Sequence, residues 1–398
     1  MIFLEKLRGE FLLIIRKDCN SFNEKYLIIR KILYFTSIIS SSLKTRSINY
    51  IVVEEETPIT IGVEIEFYTI LTEDKRISRN ILLPRKRTSE EGGKFTVDKS
   101  IGPEYITKPF ENITEAFCTI VKDLSKYVEP SNNLHAIPLP IGGWNDRFAG
   151  AHFHIGFKER GLKKEEARTL ANYIHDHIPF IIAVSANSPV WRRRITEYSS
   201  NRLLRGGEKY CMPIVKGMLN QNHYKEMNFN PENKHKPFTL EIRVCDSNIP
   251  PYICTVITIL RILTSAWKSR KRAYNNLTHE TYLRGRFNAA QRGVKAVLYW
   301  NGKPVTISEY LRLFTLSYGD EASVLDTPSS VLETFSLLEK GWNHAEAIRH
   351  VAVDSKKKFG RGWEKYIAVK LTSAMKILLN GGSLKNYYSA LGLEEVID

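Results

Sequence analysis

Three short apolar segments constrain this chain most, because each carries two ionisable side chains two positions apart. The pairs are Glu64 and Glu66 in ITIGVEIEFYTI, His152 and His154 in AGAHFHIGF, and Glu241 and Arg243 in FTLEIRVCD. Residues i and i+2 of a β-strand share one face, so each segment predicts a strand with one ionisable and one apolar face. The same alternation predicts that Cys245 shares the face of Glu241 and Arg243.

The ionisable faces of these strands indicate particular kinds of chemistry. The adjacent carboxylates of Glu64 and Glu66 repel each other and need a cation or solvent, and oxygen-rich sites suit hard ions such as Mg²⁺. The two histidines suit metal or phosphate. Glu241 and Arg243 fit either a surface ion pair or a site in which the carboxylate holds an ion and the guanidinium neutralises phosphoryl oxygens. The alternative for every pair is an ordinary solvated strand face.

Further polar residues extend this set of candidates. Asp98 and Glu104 lie on another predicted strand and add two carboxylates to a chain that is otherwise basic. Asn187 and Ser188 lie at the turn that ends a predicted helix. An arginine cluster follows that turn and is suited to clamping a carboxylate or phosphate: Arg192, Arg193, Arg194 and Arg202. The alternative for most of these arginines is a solvated basic loop.

The order of the predicted elements favours an α+β fold. Strands are predicted at 49–53, 57–69, 95–107, 149–157 and 238–245, and helices at 113–127, 163–185 with a kink at Pro179, and 252–277. This order differs from the repeating strand–helix–strand pattern of a parallel sheet, and the chain contains neither a Walker A motif nor GxGxxG. We predict an N-terminal extension of unknown role at 1–48 and one domain at 49–398.

Composition excludes several classes of protein. With 43% hydrophobic and 25% charged residues, the 398-residue chain is neither disordered nor fibrous. The net charge of +15 suits anionic partners such as nucleotides. Five cysteines without CxxC spacing argue against a disulfide framework and a structural zinc site. The sequence has neither an apolar stretch long enough for a membrane span nor a secretory signal, so we expect a cytoplasmic protein.

Several of these segments together resemble the carboxylate-amine ligase family, which is related to the second family of glutamate–cysteine ligases in the glutamine synthetase-like superfamily. The matching pieces are GVEIEF at 62–67, AHFHIGF at 151–157, IIAVSANSPVW at 181–191, TEYSSNR at 196–202, TLEIRVCD at 239–246 and FNAAQRGVKAVLYWNGKP at 287–304. They occur in one order over roughly 57 to 320. The first motif departs from the family, because Val-Glu-Ile-Glu stands where the family usually has Glu-Glu-Glu after the glycine.

The resemblance implies a fold and a reaction. The fold is a curved antiparallel sheet with metals on its concave face and helices packed outside. The reaction uses ATP to phosphorylate a side-chain carboxylate, with glutamate as the first candidate, and an amine then attacks the acyl phosphate to form an amide. Such chemistry needs two or more Mg²⁺ ions, for which Mn²⁺ substitutes, but no protein nucleophile. The implied partners are the acid, an amine and further copies of the chain.

The resemblance also implies two groups of metal ligands. The ligands of the ion bound to ATP are Glu64, Glu241 and one of the two histidines, of which His152 is favoured over His154. The ligands of the ion near the substrate carboxylate are Glu66, Glu104 and Asp98.

Other residues take implied roles in catalysis and binding. Arg243 resembles the arginine that meets the γ-phosphate, and it forms the predicted catalytic set with Glu66 and Glu241. The substrate-side residues are Asn187, Ser188 and Arg202. Arg286 and Arg292 are expected to reach nucleotide phosphate.

Two alternatives remain open at this point. One is a ligase that acts on a protein, peptide or polyamine acceptor. The other is a non-catalytic module that binds nucleotide or nucleic acid on a ligase scaffold, which the basic segments 75–99 and 268–272 suggest. Nucleic acid is the less favoured partner, because every proposed metal ligand is present.

Overall fold

A computed structural model describes two strands near the N-terminus and the residues 57–99, 101–206, 211–230 and 237–394. The chain divides into two compact units, Met1–Glu56 and Thr57–Asp398. In the first unit, β1 (Ile2–Leu7) and β2 (Glu10–Ile15) pair as an antiparallel hairpin. The strand predicted at 49–53 lies outside the described residues. The predicted division into 1–48 and 49–398 stays a prediction.

A six-stranded antiparallel sheet forms the centre of the second unit. The remaining strands are β3 (Ile59–Glu66), β4 (Tyr68–Leu71), β5 (Arg76–Ser78), β6 (Lys94–Asp98), β7 (Gly102–Ile106), β8 (Ala136–Leu139), β9 (Gly150–Phe157), β10 (Val190–Trp191), β11 (Arg194–Ile195), β12 (Met227–Asn230), β13 (Thr239–Asp246), β14 (Leu298–Trp300) and β15 (Lys303–Val305). The sheet has the order β12–β13–β9–β3–β7–β6, and each neighbouring pair is antiparallel. Strands β5, β4 and β8 form a smaller sheet, and β10–β11 and β14–β15 are hairpins.

Helices become frequent after the sheet strands, as predicted. They are Ile113–Ser125, Lys164–His175, Ile178–Ser185, Asn201–Arg205, Pro250–Lys268, His279–Arg292, Ile307–Ser323, Ser329–Glu339, His344–Phe359, Trp363–Leu379 and Leu384–Leu391. The predicted α+β class is therefore confirmed. Within the described part of the chain, no helix combines the length and the apolar character that a membrane span requires.

Two predicted helices differ from those in the structure. The helix predicted at 163–185 is two helices, and Pro179 lies in the first turn of the second one, where its missing N–H removes no hydrogen bond. The helix predicted at 252–277 occupies Pro250–Lys268. It stops there because Arg270 takes a left-handed φ of 56°, a conformation that does not continue a right-handed helix.

The apolar face of the sheet packs against helices. Val63, Ile65, Phe153, Ile155 and Ile242 are at most 1% exposed, and helices Ile178–Ser185 and Pro250–Lys268 lie against β13 and β3 respectively. Because this face is covered, a shift of one residue in the pairing of the central strands would turn their ionisable side chains into the core. The packing therefore fixes which side chains of the central strands face away from the helices.

A β-bulge in β13 changes the predicted face of one residue. Ile242 pairs with Phe153, but Cys245 pairs with Ala151, so β13 has one extra residue in this interval. The prediction that Cys245 shares the face of Glu241 is therefore wrong. Cys245 lies fully buried on the helix side beside Ser185, and burial raises the pKa of its thiol to about 12.

Two buried histidines make the stability of the fold depend on pH. The ring of His177 lies 2.7 Å from the Tyr310 hydroxyl and 3.1 Å from the Tyr318 hydroxyl. Nε2 of His344 lies 2.8 Å from the Tyr387 hydroxyl. Burial lowers the pKa of each histidine to about 3. In the unfolded chain each histidine binds a proton near pH 6.5, whereas in the folded protein it stays neutral down to about pH 3. The two histidines therefore do not affect the free energy of unfolding above pH 6.5, and they lower it increasingly as the pH falls towards 3.

We predict that His177→Gln and His344→Gln each weaken the pH dependence of unfolding. At pH 5, keeping one such histidine neutral costs about 2 kcal/mol relative to pH 7.5, and each variant should lose about that much less than the parent protein. Urea unfolding at both pH values measures the difference. His350→Gln, which changes an exposed histidine, is the control and should keep the full loss. A parent-like loss in both buried-site variants would contradict the assignment.

Candidate active site

The register of three neighbouring strands gathers the ionisable residues. Glu64 on β3 lies opposite His152 on β9, and His154 lies opposite both Gly62 on β3 and Glu241 on β13. Residues that pair across antiparallel strands point to the same face. Glu64, His152, His154 and Glu241 therefore share one face, away from the helices.

Glu64, His152 and Glu241 form the tightest group on this face. His152 Nδ1 lies 3.7 Å from Glu64 Oε2 and 3.6 Å from Glu241 Oε1. One ligand atom from each of the three residues lies within 4.8 Å of the other two. Two carboxylate oxygens and one imidazole nitrogen form a donor set suited to a divalent cation.

The two histidines differ in their surroundings. His154 Nδ1 has polar neighbours at 3.4 Å, the Thr239 hydroxyl, and at 3.3 Å, the Asn230 amide, and its Nε2 lies 3.5 Å from Glu64. Nε2 of each histidine is buried and has no hydrogen-bond partner among the described residues. The three-ligand group in the described part of the chain contains His152 and leaves out His154, so the geometry favours His152 as the residue that completes it.

The charges of this group shift the pKa values of its carboxyl groups. Burial alone would raise the pKa of Glu64, but hydrogen bonds and positive charge from His152 and His154 hold it well below its usual value. Burial opposes ionisation of Glu241 as well, but the charges of His152 and Arg243 lower its pKa. Both carboxyl groups are therefore ionised at neutral pH, as ligands of a cation must be.

Arg243 contacts this group through Glu241. Its Nη1 donates to Glu241 Oε1, while the Asn228 amide donates to the other oxygen at 3.2 Å. The Arg243 side chain keeps 21% of its surface exposed. A partly exposed guanidinium beside a cation site is placed to meet a second anion.

Glu66, Glu104 and Asp98 lie farther along the same face. Glu66 pairs with Glu104, Glu104 pairs with Thr96, and Asp98 lies two positions after Thr96. Glu66 Oε2 accepts a 2.6 Å hydrogen bond from the Gly150 amide, and Asp98 Oδ1 accepts one of 3.2 Å from the Ile101 amide. Burial raises the pKa of Glu66, and the charge of Asp98 adds to the shift. Among the described residues, these three do not gather into a metal-ligand group as Glu64, His152 and Glu241 do.

Asn187, Ser188 and Arg202 are buried around Asp246. All three side chains are 0% exposed. The Asn187 backbone N–H donates to Asp246 Oδ2 at 2.8 Å, and the Ser188 hydroxyl donates to the same atom at 2.7 Å. The positive charge of Arg202 lowers the pKa of Asp246, although burial raises it overall. These residues thus support the end of β13, and their predicted contact with substrate stays a prediction.

Arg202 also connects this buried cluster to the acidic face, which is the sheet face that carries Glu64, Glu66, Glu104 and Glu241. Its Nη2 donates to the carbonyl oxygen of Arg243 at 2.9 Å. A Cβ at Gly150 would lie 2.4 Å from the same nitrogen, so only glycine leaves room for the guanidinium here. Since the Gly150 amide holds Glu66, Arg202 and Gly150 together position both Arg243 and Glu66.

Arg286 and Arg292 lie in different surroundings. Arg286 Nε forms a buried ion pair of 2.7 Å with Glu226, whose carboxylate also accepts from the Tyr282 hydroxyl. Arg292 is exposed at the end of helix His279–Arg292. Their contact with nucleotide phosphate stays a prediction.

Sequence reasoning missed Asp246, Glu226 and Asn228. Asp246 ends the quoted TLEIRVCD motif, and an acidic residue next to an apolar strand was the available signal. Glu226 and Asn228 showed no comparable pattern, because their partners Arg286 and Glu241 lie 60 and 13 positions away.

Comparison with known proteins gives matches in both sequence and fold. The model of glutamate-cysteine ligase family 2 matches residues 140–205, which contain the AHFHIGF, SANSPVW and TEYSSNR motifs. A protein of Enterobacter sp. (strain 638), provisionally named glutamate–cysteine ligase 2, is 25% identical over 227 residues, which are 52% of this chain and 59% of the relative. A protein of Chromobacterium violaceum with the same provisional name is 26% identical over 168 residues, or 37% of this chain and 43% of the relative.

A solved structure extends the comparison to most of the chain. The glutamate–cysteine ligase of Francisella tularensis in complex with AMP aligns with 86% of this chain and 95% of its own, at 11% identity and a TM-score of 0.51. At that identity the match concerns the fold alone. The predicted glutamine synthetase-like fold and the predicted resemblance to glutamate-cysteine ligase family 2 are therefore confirmed.

Proposed function

We propose that this chain is an ATP-dependent carboxylate-amine ligase that forms a γ-glutamyl type amide through an acyl phosphate. Glutamate and cysteine are the first candidate substrates. The observation that carries the proposal is the group of Glu64, His152 and Glu241 with Arg243 beside it. Support also comes from the names of the two relatives and from the AMP complex of the Francisella tularensis ligase.

Amide formation from a free acid requires activation of the carboxylate. Phosphorylation turns one carboxylate oxygen into a leaving group, and the incoming amine then displaces phosphate at the acyl carbon. Negative charge accumulates on the transferring phosphoryl group, so the protein has to supply positive charge in fixed positions. No protein nucleophile is needed for either half of the reaction.

The residues of the acidic face fit these requirements. Glu64, His152 and Glu241 would hold one divalent ion, and Glu66, Glu104 and Asp98 would hold a second; such ions screen phosphate charge and polarise the oxygens they bind. Arg243 would neutralise phosphoryl oxygens with the guanidinium edge that Glu241 does not occupy. Gly150 and Arg202 would hold Glu66 and Arg243 in place.

The alternatives differ in acceptor or in activity. Ligation onto a peptide, protein or polyamine uses the same acidic face and differs only in the amine. A non-catalytic module that binds nucleotide or nucleic acid does not require Glu64, His152 and Glu241 to stay close together, and their proximity favours a ligase. The expected cytoplasmic location and homo-oligomer stay predictions.

We predict that Glu241→Gln lowers ADP release with Mg²⁺, ATP and acid by at least about a hundredfold. The substitution keeps the shape of the side chain but removes the charge that would hold the ion. ADP release is measured across a panel of amino acids, with thermal melting as the check on folding. Glu280→Gln, which breaks an exposed ion pair with Arg284, is the control. An unchanged rate in folded Glu241→Gln protein would remove Glu241 from the site.

A second prediction concerns Arg243. Replacement by alanine should lower turnover by roughly a hundredfold to a thousandfold, as the loss of one charge-stabilising donor does in other enzymes. Lysine should restore only part of the rate, because it lacks the planar fork that meets two oxygens. ATP affinity should fall much less than turnover, since the contact strengthens in the transition state.

The opposing outcome for Arg243 is a structural role only. If Arg243 does no more than pair with Glu241, then Arg243→Ala lowers the melting temperature and leaves turnover per folded molecule unchanged. Arg284→Ala removes an exposed arginine of similar pairing and provides the baseline for both measurements. Turnover and melting are measured on the same preparation.

A further inference from the structure

An arginine-lined cavity lies next to hairpin β10–β11. Its volume is about 490 Å³, and its lining comprises Arg79, Arg192, Arg193, Asn145 and Asp146. Three arginines and one aspartate line it, so the lining has an excess of positive charge. Clefts lined with charge of one sign concentrate ligands of the opposite sign.

A second cavity extends from this one to Asp98. It has a volume of about 570 Å³, shares Arg79 and Asn145 with the first, and also reaches Asp98. Gly102 pairs with Asp98, and a Cβ at Gly102 would lie 2.9 Å from the Arg79 carbonyl oxygen. The backbone of Arg79 thus rests against β7, the strand that carries Glu104.

The opposite wall is fixed to the strand region that follows Glu66. The Tyr68 hydroxyl donates to the Arg147 carbonyl oxygen at 2.6 Å and accepts from the Trp144 amide at 3.3 Å. Tyr68 is completely buried, so it anchors the loop that supplies Asn145 and Asp146. One wall of the cavity is therefore held to β4, which follows the strand of Glu66, and the other to β7, which carries Glu104.

The hairpin turn holds two arginines in an unfavourable backbone conformation. Arg192 and Arg193 have φ angles of 49° and 57°. Two-residue hairpin turns with positive φ at both positions normally contain Asn-Gly there. The amides of Arg192 and Arg193 donate to the carbonyl oxygens of Asn145 and Trp144, both at 2.8 Å. The backbone is thereby fixed, and residues in strained conformations are concentrated at functional sites.

The contacts of the three side chains leave positive charge available. The Arg192 guanidinium lies over the Trp191 ring, 4.5 Å from its centre. Arg193 Nε lies 3.4 Å from the Asn145 side-chain oxygen and 3.7 Å from Glu364. Arg79 is exposed, and within the described ranges it forms no ion pair. Stacking on a ring leaves the N–H edge of a guanidinium open to a carboxylate.

We propose that this cavity binds a polycarboxylate, and that the acid substrate of the ligase carries carboxylates beyond the one that reacts. The reacting carboxylate would lie near Glu66 and Glu104, and the others would meet Arg79, Arg192 and Arg193. The link to the acid substrate rests on the proposed function, whereas polycarboxylate binding does not. An acidic peptide and a small tricarboxylic acid share the required chemistry.

Titration calorimetry without nucleotide or metal tests the binding. The probes are triglutamate, propane-1,2,3-tricarboxylate and triglutamine, a matched peptide whose side chains carry no charge. We expect triglutamate or the tricarboxylate to bind at least tenfold more tightly than triglutamine, and we expect high salt to lower that affinity. Tighter binding of triglutamate identifies a peptide as the source, and tighter binding of the small acid identifies a metabolite. Equal affinities for triglutamate, tricarboxylate and triglutamine would overturn the proposal.

A turn-compatible variant separates charge from fold. Arg192→Asn combined with Arg193→Gly supplies the residues that the turn prefers, so melting should stay equal or rise while affinity for the tighter-binding acid falls at least tenfold. Arg79→Gln, which changes an exposed side chain, should also lower the affinity for that acid. Arg284→Gln removes the charge of an exposed arginine outside the cavity lining and should keep parent-like affinity. Parent-like affinity in folded Arg192→Asn/Arg193→Gly and in Arg79→Gln would also overturn the proposal.

The outcomes of this test are independent of catalysis. If the acid binds through the arginines but no acid supports ADP release, the proposed function fails and the binding site stands. If ADP release occurs only with acids that do not bind through the arginines, the ligase proposal stands and the link between the cavity and the acid substrate is wrong. If the ligase proposal and the polycarboxylate site are both correct, the KM for the preferred acid should rise at least tenfold in Arg192→Asn/Arg193→Gly.

Discussion

The repulsion between carboxylates on one sheet face governs the arrangement of the site. Glu64 and Glu241 both lie within 4 Å of His152 Nδ1, and both are largely buried. Two buried negative charges at this separation are unfavourable unless positive charge lies close by. Arg243 supplies part of that charge from β13, and a divalent cation would supply the rest. This balance of charges fits the proposed cation site.

The rest of the fold keeps this charged face in register. The opposite face is sealed by helices Ile178–Ser185 and Pro250–Lys268, so β3, β9 and β13 cannot slide without burying the charged residues. The bulge in β13 turns Cys245 towards the helices, and Asp246 then binds the Asn187–Ser188 turn. Arg202 spans from that buried cluster to the Arg243 carbonyl oxygen. The Asn187–Ser188 turn therefore stabilises the end of β13 that carries Arg243.

Local periodicity predicted the parts of the site that depend on strand geometry alone. The period-two placement of Glu64, Glu66, His152 and Glu241 predicts a shared face wherever the strands pair without interruption. It failed at Cys245, because a bulge is set by packing that the alternation does not show. It also left the burial of Arg202 unseen, since its neighbours Asp246 and Gly150 are brought to it by the tertiary fold. The break between helices at Asp176–His177 likewise depends on distant partners such as Lys216 and Tyr310.

Diffraction from crystals grown with Mn²⁺ and a non-hydrolysable ATP analogue tests the central claim most directly, because the anomalous signal locates the ion without assumptions about activity. The account predicts an Mn²⁺ peak within about 2.3 Å of oxygens from Glu64 and Glu241 and of a nitrogen of His152, with the Arg243 guanidinium facing the phosphate chain. An anomalous map with no peak at these three residues, while the nucleotide is bound elsewhere on the protein, would contradict it.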